Sequence, residues 1–201
     1  MIELELKYKL NRKPNIQEKI TKENDVEDIY YDTQDYTMLR NGNFLRLRNK
    51  KSLDFKLNTN DKTHLYCKET NFSVDKFEVE AVSNVLKNIG INTKFKTLDE
   101  LLKQFQILAP IIKHRKSYNL EDNIVMVIDE VKDLGTFLEI EYDIDKESIT
   151  KEEADYYKDY LVNILKKREF ITSDDEEVHI GYVELYLKKY NVDAFNLGIY
   201  K

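Results

Sequence analysis

The sequence has little of the residues that build disulfides, flexible linkers or membrane spans. Cys67 is the only cysteine among 201 residues, which excludes an intrachain disulfide and a zinc site made of cysteines, and favours a reducing cytoplasm. Five glycines and two prolines leave no flexible linker and no low-complexity segment. No apolar run is long enough to span a membrane, and the N-terminus has no signal-peptide pattern. We therefore expect a cytoplasmic protein with no membrane partner and a single domain over residues 1–201.

The charge balance argues against one class of partner. Lys and Arg together number 32 and Asp and Glu 38, which gives a formal net charge of −6. An acidic chain is a poor general binder of nucleic acid, so we expect no nucleic-acid partner. Net charge does not describe a local pocket, however. With 35% charged and 41% hydrophobic residues, the chain can build both a core and a heavily charged surface or interior.

The first strand-like segment places its charges on one face. Charged and apolar residues alternate strictly from Ile2 to Lys7, which is the period of a β-strand. Glu3, Glu5 and Lys7 then share one face, and the apolar side chains face the other way. The ordinary interpretation is an amphipathic strand with a solvated side, but several later segments repeat the pattern.

The pattern of the whole chain predicts an α+β protein. Expected strands lie near residues 2–10, 27–33, 44–50, 52–58, 63–72, 109–120, 123–131 and 136–144. Expected helices lie near residues 14–23, 74–89, 97–106, 150–166 and 180–189. Pro14 suits a first helical turn, and Thr150 with Glu153 has the spacing of a capping box. Eight strands with short connections can form a small antiparallel barrel whose interior holds side chains or one ligand.

The charges on these strands are segregated by sign. Basic side chains stand together on some segments, at Arg46, Arg48, Lys56, Lys113 and Arg115. Acidic side chains stand on others, at Asp129, Glu139 and Glu141. A solvated sheet more often mixes the two signs to form cross-strand pairs. The segregation therefore favours an enclosed face that binds a ligand.

An enclosed face of this kind suits one class of ligand. Buried like charges are tolerated only where opposite charges or ligands compensate them. Carboxylates are the hard oxygen donors that Mg²⁺ or Mn²⁺ prefers, and arginine and lysine suit phosphate oxygens. The residue types therefore predict a site for the metal complex of a polyphosphate, and the same groups support phosphoryl transfer.

Five motifs follow one another in order along the chain. They are Glu-x-Glu-x-Lys at residues 3–7, Ile-Tyr-Tyr-Asp-Thr-Gln-Asp at 29–35, Leu-Arg-Leu-Arg-Asn at 45–49, Lys-His-Arg at 113–115 and Ile-Asp-Glu-Val-Lys-Asp-Leu-Gly-Thr-Phe-Leu-Glu-Ile-Glu at 128–141. Tyr-Val-Glu-Leu-Tyr-Leu at residues 182–187 also resembles a closing helix. Together these motifs resemble the CYTH-domain family of the triphosphate tunnel metalloenzyme superfamily, in order across about residues 1–190.

The resemblance implies an eight-stranded antiparallel β-barrel, the triphosphate tunnel fold, with helices packed outside. It assigns the divalent metal, Mg²⁺ or Mn²⁺, to Glu3, Glu5, Asp129, Glu139 and Glu141. It assigns the triphosphate to Lys7, Arg46, Arg48, Lys56 and Arg115, with Lys113 as a lesser candidate. The fifth strand departs from the family pattern of an arginine followed by acids, and Lys68 stands in for that arginine. As catalytic residues, Glu139, Glu141 and Asp129 are expected to position metal and water.

Three functions stay open at this point. The first expectation is metal-dependent hydrolysis of a triphosphate-containing small molecule: inorganic tripolyphosphate, thiamine triphosphate or a nucleoside triphosphate. The alternative is a class IV adenylyl cyclase, which makes cyclic AMP and pyrophosphate from ATP. A non-catalytic module that binds polyphosphate or a nucleotide is disfavoured, because it needs the basic residues but not the acids. The oligomeric state is open, and a homodimer is one expectation because exposed apolar strand faces often find a partner.

Overall fold

The computed structural model describes residues 2–58, 67–146 and 149–200. Within these ranges the chain forms nine strands and six helices. In chain order they are β1 (Ile2–Leu10), β2 (Ile20–Asp32), α1 (Thr37–Arg40), β3 (Phe44–Arg48), β4 (Ser52–Asn58), β5 (Cys67–Ser73), α2 (Val79–Asn88), α3 (Leu98–Leu102), β6 (Gln106–Glu121), β7 (Ile124–Val131), β8 (Gly135–Ile144), α4 (Lys151–Lys167), β9 (Glu176–Glu177), α5 (Tyr182–Tyr190) and α6 (Val192–Leu197). Within these ranges, no helix combines the length and the apolar character that crossing a membrane requires.

The chain forms two compact units. Unit 1 takes its described residues from 1–26 and 112–181, and unit 2 takes its described residues from 27–62, 67–111 and 182–201. Strands β2 and β6 contribute residues to each unit.

Unit 1 buries one face of its sheet under helix α4. Its strand order is β2-β6-β7-β8-β1-β9, with antiparallel ladders between β6 and β7, β7 and β8, β8 and β1, and β1 and β9. The apolar core contains Leu4, Leu6, Met126, Ile128, Leu138, Ile140, Leu161 and Leu165. Because side chains alternate between the two faces of a strand, Glu5 and Lys7 lie on the face opposite Leu4 and Leu6.

Unit 2 repeats this arrangement with a smaller sheet. Its strand order is β5-β4-β3-β2, and each neighbouring pair is antiparallel. One face packs with helices α2 and α3 in a core that contains Leu45, Leu47, Leu53, Phe55, Val82, Leu86 and Leu101. The alternation of β3 and β4 therefore places Arg46, Arg48, Asp54 and Lys56 on the other face.

The α+β class and the large antiparallel sheet are confirmed. Each of the eight expected strands corresponds to one of β1–β8, although β2 and β6 are longer than expected and residues 63–66 lie outside the described part of the chain. Strand β9 adds a ninth, two-residue strand beside β1. Among the described residues the strand pairings do not close into a ring, so they form a sheet and not a hydrogen-bonded barrel.

The expected helix at residues 14–23 is wrong. The segment before Ile20 has no regular structure, and β2 begins at that residue. The Asn11 backbone N–H donates to Asp175 Oδ1 at 2.8 Å, and the Arg12 guanidinium donates to the Glu169 carbonyl at 2.7 Å. These tertiary contacts override the weak local preference of Pro14 for a first helical turn. The other four expected helices correspond to α2, α3, α4 and α5, whereas α1 and α6 were not predicted.

The capping box at the start of α4 is confirmed. The Glu153 N–H donates to Thr150 Oγ1 at 3.2 Å, and the Thr150 N–H donates to Glu153 Oε2 at 2.9 Å. We expect Thr150→Ala to lower the free energy of unfolding by about 1 kcal/mol, because it leaves a helix N–H without its acceptor. Urea denaturation measures the change. Lys151→Ala, at an exposed position on the same helix, is the control, and a Thr150→Ala effect no larger than that of the control would contradict the prediction.

Candidate functional site

The charged face of unit 1 gathers seven of the predicted site residues. They are Glu5, Lys7, Lys113, Arg115, Asp129, Glu139 and Glu141, on strands β1, β6, β7 and β8. The strand register brings them together, since Lys7 is paired with Glu139 and Arg115 is paired with Asp129. These residues lie far apart in the sequence, and we call this surface the unit 1 charged face.

Glu139 joins two cations on this face. The Lys7 ammonium lies 3.1 Å from Glu139 Oε1, and the Arg115 guanidinium lies 2.5 Å from Oε2. Glu139 is only 4% exposed. Burial favours the neutral acid, but the charges of Lys7, Lys113 and Arg115 outweigh it and hold the pKa of Glu139 well below its ordinary value. Glu139 is therefore a carboxylate at neutral pH.

Asp129 is fully buried and is also shared by two cations. Arg115 donates to both carboxylate oxygens of Asp129, at 2.7 and 2.6 Å, in a planar fork. The Lys113 ammonium donates to Asp129 Oδ2 at 2.8 Å. Burial lowers the pKa of Lys113 from its ordinary value. Asp129 thus compensates the charge of two residues that the sequence assigned to the triphosphate.

Glu5 and Glu141 stand directly opposite each other on β1 and β8. Like charges in such a pair repel, which destabilises the sheet unless a cation compensates them. The Lys7 ammonium lies 3.0 Å from Glu5 Oε1 and supplies part of that compensation. Although burial opposes the charged form of Lys7, Glu5 and Glu139 raise its pKa above the ordinary value. Lys7 is therefore a fixed positive charge between two carboxylates.

The carboxylates of this face fit a hard divalent cation. Four of them, Glu5, Asp129, Glu139 and Glu141, offer the oxygen donors that Mg²⁺ and Mn²⁺ prefer. Among the side chains that the structure describes, no three His, Cys, Asp or Glu residues are already gathered around a metal position. The oxygens of Glu5, Asp129 and Glu139 contact Lys7, Lys113 and Arg115 instead, so a bound metal would take over contacts that these cations make. Glu3 is paired with Asp143 in the register, and its side chain lies outside the described part of the chain.

A second charged face belongs to unit 2. It consists of Asp28, Arg46, Arg48, Asp54, Lys56 and Glu69, and we call it the unit 2 charged face. Arg46, which is 6% exposed, donates through Nε and Nη2 to Asp54 Oδ2 at 3.1 and 2.9 Å. Its Nε also lies 3.7 Å from Asp28 Oδ1. Arg46 is therefore held by two buried carboxylates.

The other two cations of the unit 2 charged face are paired in the same way. Arg48 forms a fork with Asp28, with donor–acceptor distances of 2.7 and 2.8 Å. The Lys56 ammonium lies 2.6 Å from Glu69 Oε1. Burial opposes ionisation of Glu69, yet the charge of Lys56 lowers the pKa of Glu69 below its ordinary value. These three predicted phosphate-binding cations are thus preorganised by carboxylates.

Sequence reasoning missed the three acids of the unit 2 charged face. Asp54 could have been found, because it alternates with Lys56 along β4 and must share its face. Asp28 gave no comparable signal, since its partner Arg48 is set by the register between β2 and β3. In β5, Glu69 is the residue paired with Lys56. Lys68 is paired with Leu57, and its side chain lies outside the described residues, so its role stays a prediction.

Asp32, within the second motif, has a structural role. Its carboxylate accepts the backbone N–H groups of Thr33, Met38 and Leu39 at 2.7, 3.0 and 2.9 Å. Asp32 is fully buried, and these bonds satisfy donors at the start of α1 that the helix itself leaves unpaired. Asp32 therefore fixes the turn that leads from β2 through α1 towards β3.

His114 lies on the opposite face of β6 from Lys113 and Arg115, as its place in the strand predicts. Its Nδ1 lies 2.8 Å from Asp25 Oδ1 and its Nε2 lies 2.9 Å from Glu23 Oε1. Hydrogen bonds to Asp25 and Glu23 raise the pKa of His114 above its ordinary value. The protonated ring therefore stabilises the fold below the pKa of the unfolded chain, and this contribution is lost as the pH rises through the folded pKa.

An NMR titration of His114 tests this pH dependence. We expect a pKa above the ordinary value of about 6.5, and a downward shift in Asp25→Asn. Asp122→Asn changes an exposed carboxylate elsewhere and serves as the control. An unshifted pKa of His114 in the unaltered protein would contradict the expectation.

Comparison with known proteins assigns the family. The CYTH domain profile matches residues 1–167, so the chain belongs to the CYTH family. Comparison with curated proteins found no match.

Solved structures share the fold. A Pyrococcus horikoshii protein is 23% identical with a TM-score of 0.65, and the match covers 93% of this chain and 99% of that one. A candidate adenylate cyclase from Vibrio parahaemolyticus is 20% identical with a TM-score of 0.59, over 92% and 97% of the two chains. A Hippeastrum protein, described as a candidate adenylyl cyclase with a dominant triphosphatase activity, is 16% identical with a TM-score of 0.59, over 97% and 94%. At these identities the likeness establishes the triphosphate tunnel fold.

Proposed function

We propose that this protein is a divalent-metal-dependent triphosphatase. One observation carries the proposal: on the unit 1 charged face, buried carboxylates lie in direct contact with cations, with Glu139 between Lys7 and Arg115. A metal complex of a phosphate chain presents cations to carboxylates and anionic oxygens to ammonium and guanidinium groups. Such a ligand replaces each internal ion pair with two new contacts: the metal binds the carboxylate, and a phosphate oxygen binds the cation.

The acids of this face are the proposed metal ligands. Glu5, Asp129, Glu139 and Glu141, with Glu3 of the same strand as Glu5, would hold Mg²⁺ or Mn²⁺. When bound, such an ion polarises phosphoryl oxygens as a Lewis acid. Glu139, Glu141 and Asp129 would also accept hydrogen bonds from the attacking water and so orient it.

The basic residues of both charged faces are the proposed phosphate ligands. Lys7, Lys113 and Arg115 of unit 1 would donate to oxygens of the transferred phosphoryl group. Arg46, Arg48 and Lys56, on the unit 2 charged face, are proposed to bind phosphate through their own donors, and Lys68 is a prediction of the same kind. Catalysis of phosphoryl transfer rests mainly on such positioning and charge stabilisation.

The proposed reaction is hydrolysis of the terminal anhydride. The oxygen of a water molecule bonds to the terminal phosphorus, and the bond from that phosphorus to the bridging oxygen breaks. For tripolyphosphate, the products are orthophosphate and pyrophosphate. Arg115 and Lys113 would offset the negative charge that develops on the phosphoryl oxygens and on the leaving group.

Product analysis tests the proposal and separates it from cyclisation. The purified protein is incubated separately with tripolyphosphate, thiamine triphosphate and ATP, with Mg²⁺ and with Mn²⁺. Orthophosphate release without cyclic AMP is the expected result. Cyclic AMP and pyrophosphate from ATP would replace the proposal with an adenylyl cyclase, whose nucleophile is the 3′-hydroxyl of ATP. Metal-dependent binding without any product would replace it with a binding module.

A further inference from the structure

Three aromatic rings pack together beside the cations of the unit 2 charged face. Phe44 precedes Arg46 by two residues on β3, so the two side chains share a face, and Phe44 is paired with Lys56 on β4. Tyr30 of β2 is paired with Arg46. The third ring, Tyr200, comes from the segment that follows α6. The group of Tyr30, Phe44 and Tyr200 therefore borders the cations proposed to bind phosphate.

Tyr200 covers Phe44. The two rings are stacked with their centroids 6.3 Å apart and their planes 26° from parallel. Tyr30 meets Phe44 edge-on, with centroids 6.3 Å apart and planes 89° apart. Both geometries are favourable for aromatic pairs. Phe44 is only 5% exposed and Tyr200 only 7%, so the stacking position on Phe44 that Tyr200 occupies is closed to a ligand while the Tyr200 ring stays in place.

Residues 198–200 are fitted closely to the corner between α1 and β3. Gly42 there has a φ of +68°, and a Cβ at this position would lie 2.5 Å from Ile199 Cδ1 and 3.0 Å from Tyr200 Cε2. A glycine both adopts this backbone conformation and allows the close approach. A Cβ on Gly198 would lie 3.3 Å from Leu39 Cδ1. Two glycines thus allow the segment to lie against this corner and hold the Tyr200 ring over Phe44.

A triphosphate carrying an aromatic group needs a place for that group next to its phosphates. Stacking of a base on an aromatic side chain contributes a favourable interaction whatever the base, because every base has a π-face. Phe44, beside Arg46 and Lys56, is the kind of platform such a group uses. In this protein the ring of Tyr200 already occupies the stacking position on Phe44.

We propose that Tyr200 is a specificity-determining residue, whose ring takes the stacking position on Phe44 and thereby selects inorganic tripolyphosphate over triphosphates that carry an aromatic group. The inference rests on the proposed function, since it assumes that the unit 2 charged face binds phosphate. Tyr200 acts by exclusion: it leaves the phosphate-binding cations in place and withholds the favourable stacking that ATP or thiamine triphosphate would gain.

The test compares substrate preference in Tyr200→Ala with that in the unaltered protein. For tripolyphosphate, ATP and thiamine triphosphate, kcat/KM is measured with Mg²⁺, and the dissociation constant is measured by calorimetry with Ca²⁺ in place of Mg²⁺. We expect the preference for ATP relative to tripolyphosphate to rise about tenfold, as the return of one stacking interaction implies. Tyr200→Phe keeps the ring and should keep the original preference. Tyr190→Ala removes a half-exposed ring from α5 of the same unit and is the matched control.

Each outcome separates this inference from the proposed function. An unchanged preference in a folded Tyr200→Ala protein would overturn the role of Tyr200, as would an unaltered protein that prefers ATP to tripolyphosphate. If Tyr200→Ala does not fold, Tyr200→Val keeps an apolar side chain at this position but is too small to cover the Phe44 ring, so the preference for ATP should again rise, and the absence of a rise would overturn the role of Tyr200. Absence of turnover with every triphosphate would count against the triphosphatase itself, and the ratio of dissociation constants would still test Tyr200.

Discussion

Glu139→Gln is expected to lower kcat for triphosphate hydrolysis about 100- to 1,000-fold while the protein remains folded. The substitution keeps the shape of the side chain but removes the charge that contacts Lys7 and Arg115 and that we assign to the metal. Folding should survive because each cation keeps another carboxylate: Lys7 keeps Glu5, and Arg115 keeps Asp129. The measurements are kcat at saturating Mg²⁺ and the thermal unfolding midpoint.

Glu130→Gln is the matched control for this variant. Glu130 follows Asp129 on β7 but is exposed, and its only described ion pair is with Lys13 at 3.6 Å. Removing this exposed charge should leave kcat unchanged. Full activity of Glu139→Gln at saturating Mg²⁺ would show that Glu139 is not a metal ligand.

Arg46→Ala is expected to lower the free energy of unfolding by about 3–5 kcal/mol, in addition to weakening triphosphate binding. The sequence alone predicts chiefly the loss of affinity. The structure also predicts a lower free energy of unfolding, because the substitution leaves the buried Asp54 without the guanidinium that binds it at 2.9 Å. The hydroxyl of Ser52, which also hydrogen-bonds Asp54, cannot replace that charge. Urea denaturation measures the loss.

A double variant tests the cause of this instability. Combining Arg46→Met with Asp54→Leu removes both charges and fills the space with apolar atoms, so most of the lost stability should return. Lys51→Ala, at an exposed position in the turn before β4, should change the free energy of unfolding by less than about 0.5 kcal/mol. A folded Arg46→Ala protein as stable as Lys51→Ala would show that Arg46 and Asp54 do not form the buried pair.

Strand alternation made the unit 1 charged face predictable. The positions of Glu5, Lys7, Glu139 and Glu141 follow from a two-residue period that a buried face enforces over a whole strand. The start of α4 was predictable too, because the two residues of its capping box, Thr150 and Glu153, lie within one helical turn of each other. Local patterns of this kind contain the information that sets the structure nearby.

Pairing between distant segments was not predictable in the same way. The ion pair of Asp28 with Arg48 depends on the register of β2 against β3, which no local pattern encodes. The segment around Pro14 was misread because its conformation is set by contacts of Asn11 and Arg12 with residues 169–175. Family motifs identified the charged residues, but they could not show that the acids and cations neutralise each other in pairs.

We expect the ion pairs of the unit 1 charged face to let the chain fold without the proposed divalent metal. Lys7 and Arg115 already compensate Glu5, Asp129 and Glu139, so the carboxylates can be buried during synthesis before any divalent ion arrives. Small zinc domains differ, because their binding energy is their folding energy. In this protein, a chelator that removes the proposed metal should leave the carboxylates paired with their internal cations, in a folded protein that can bind the metal again.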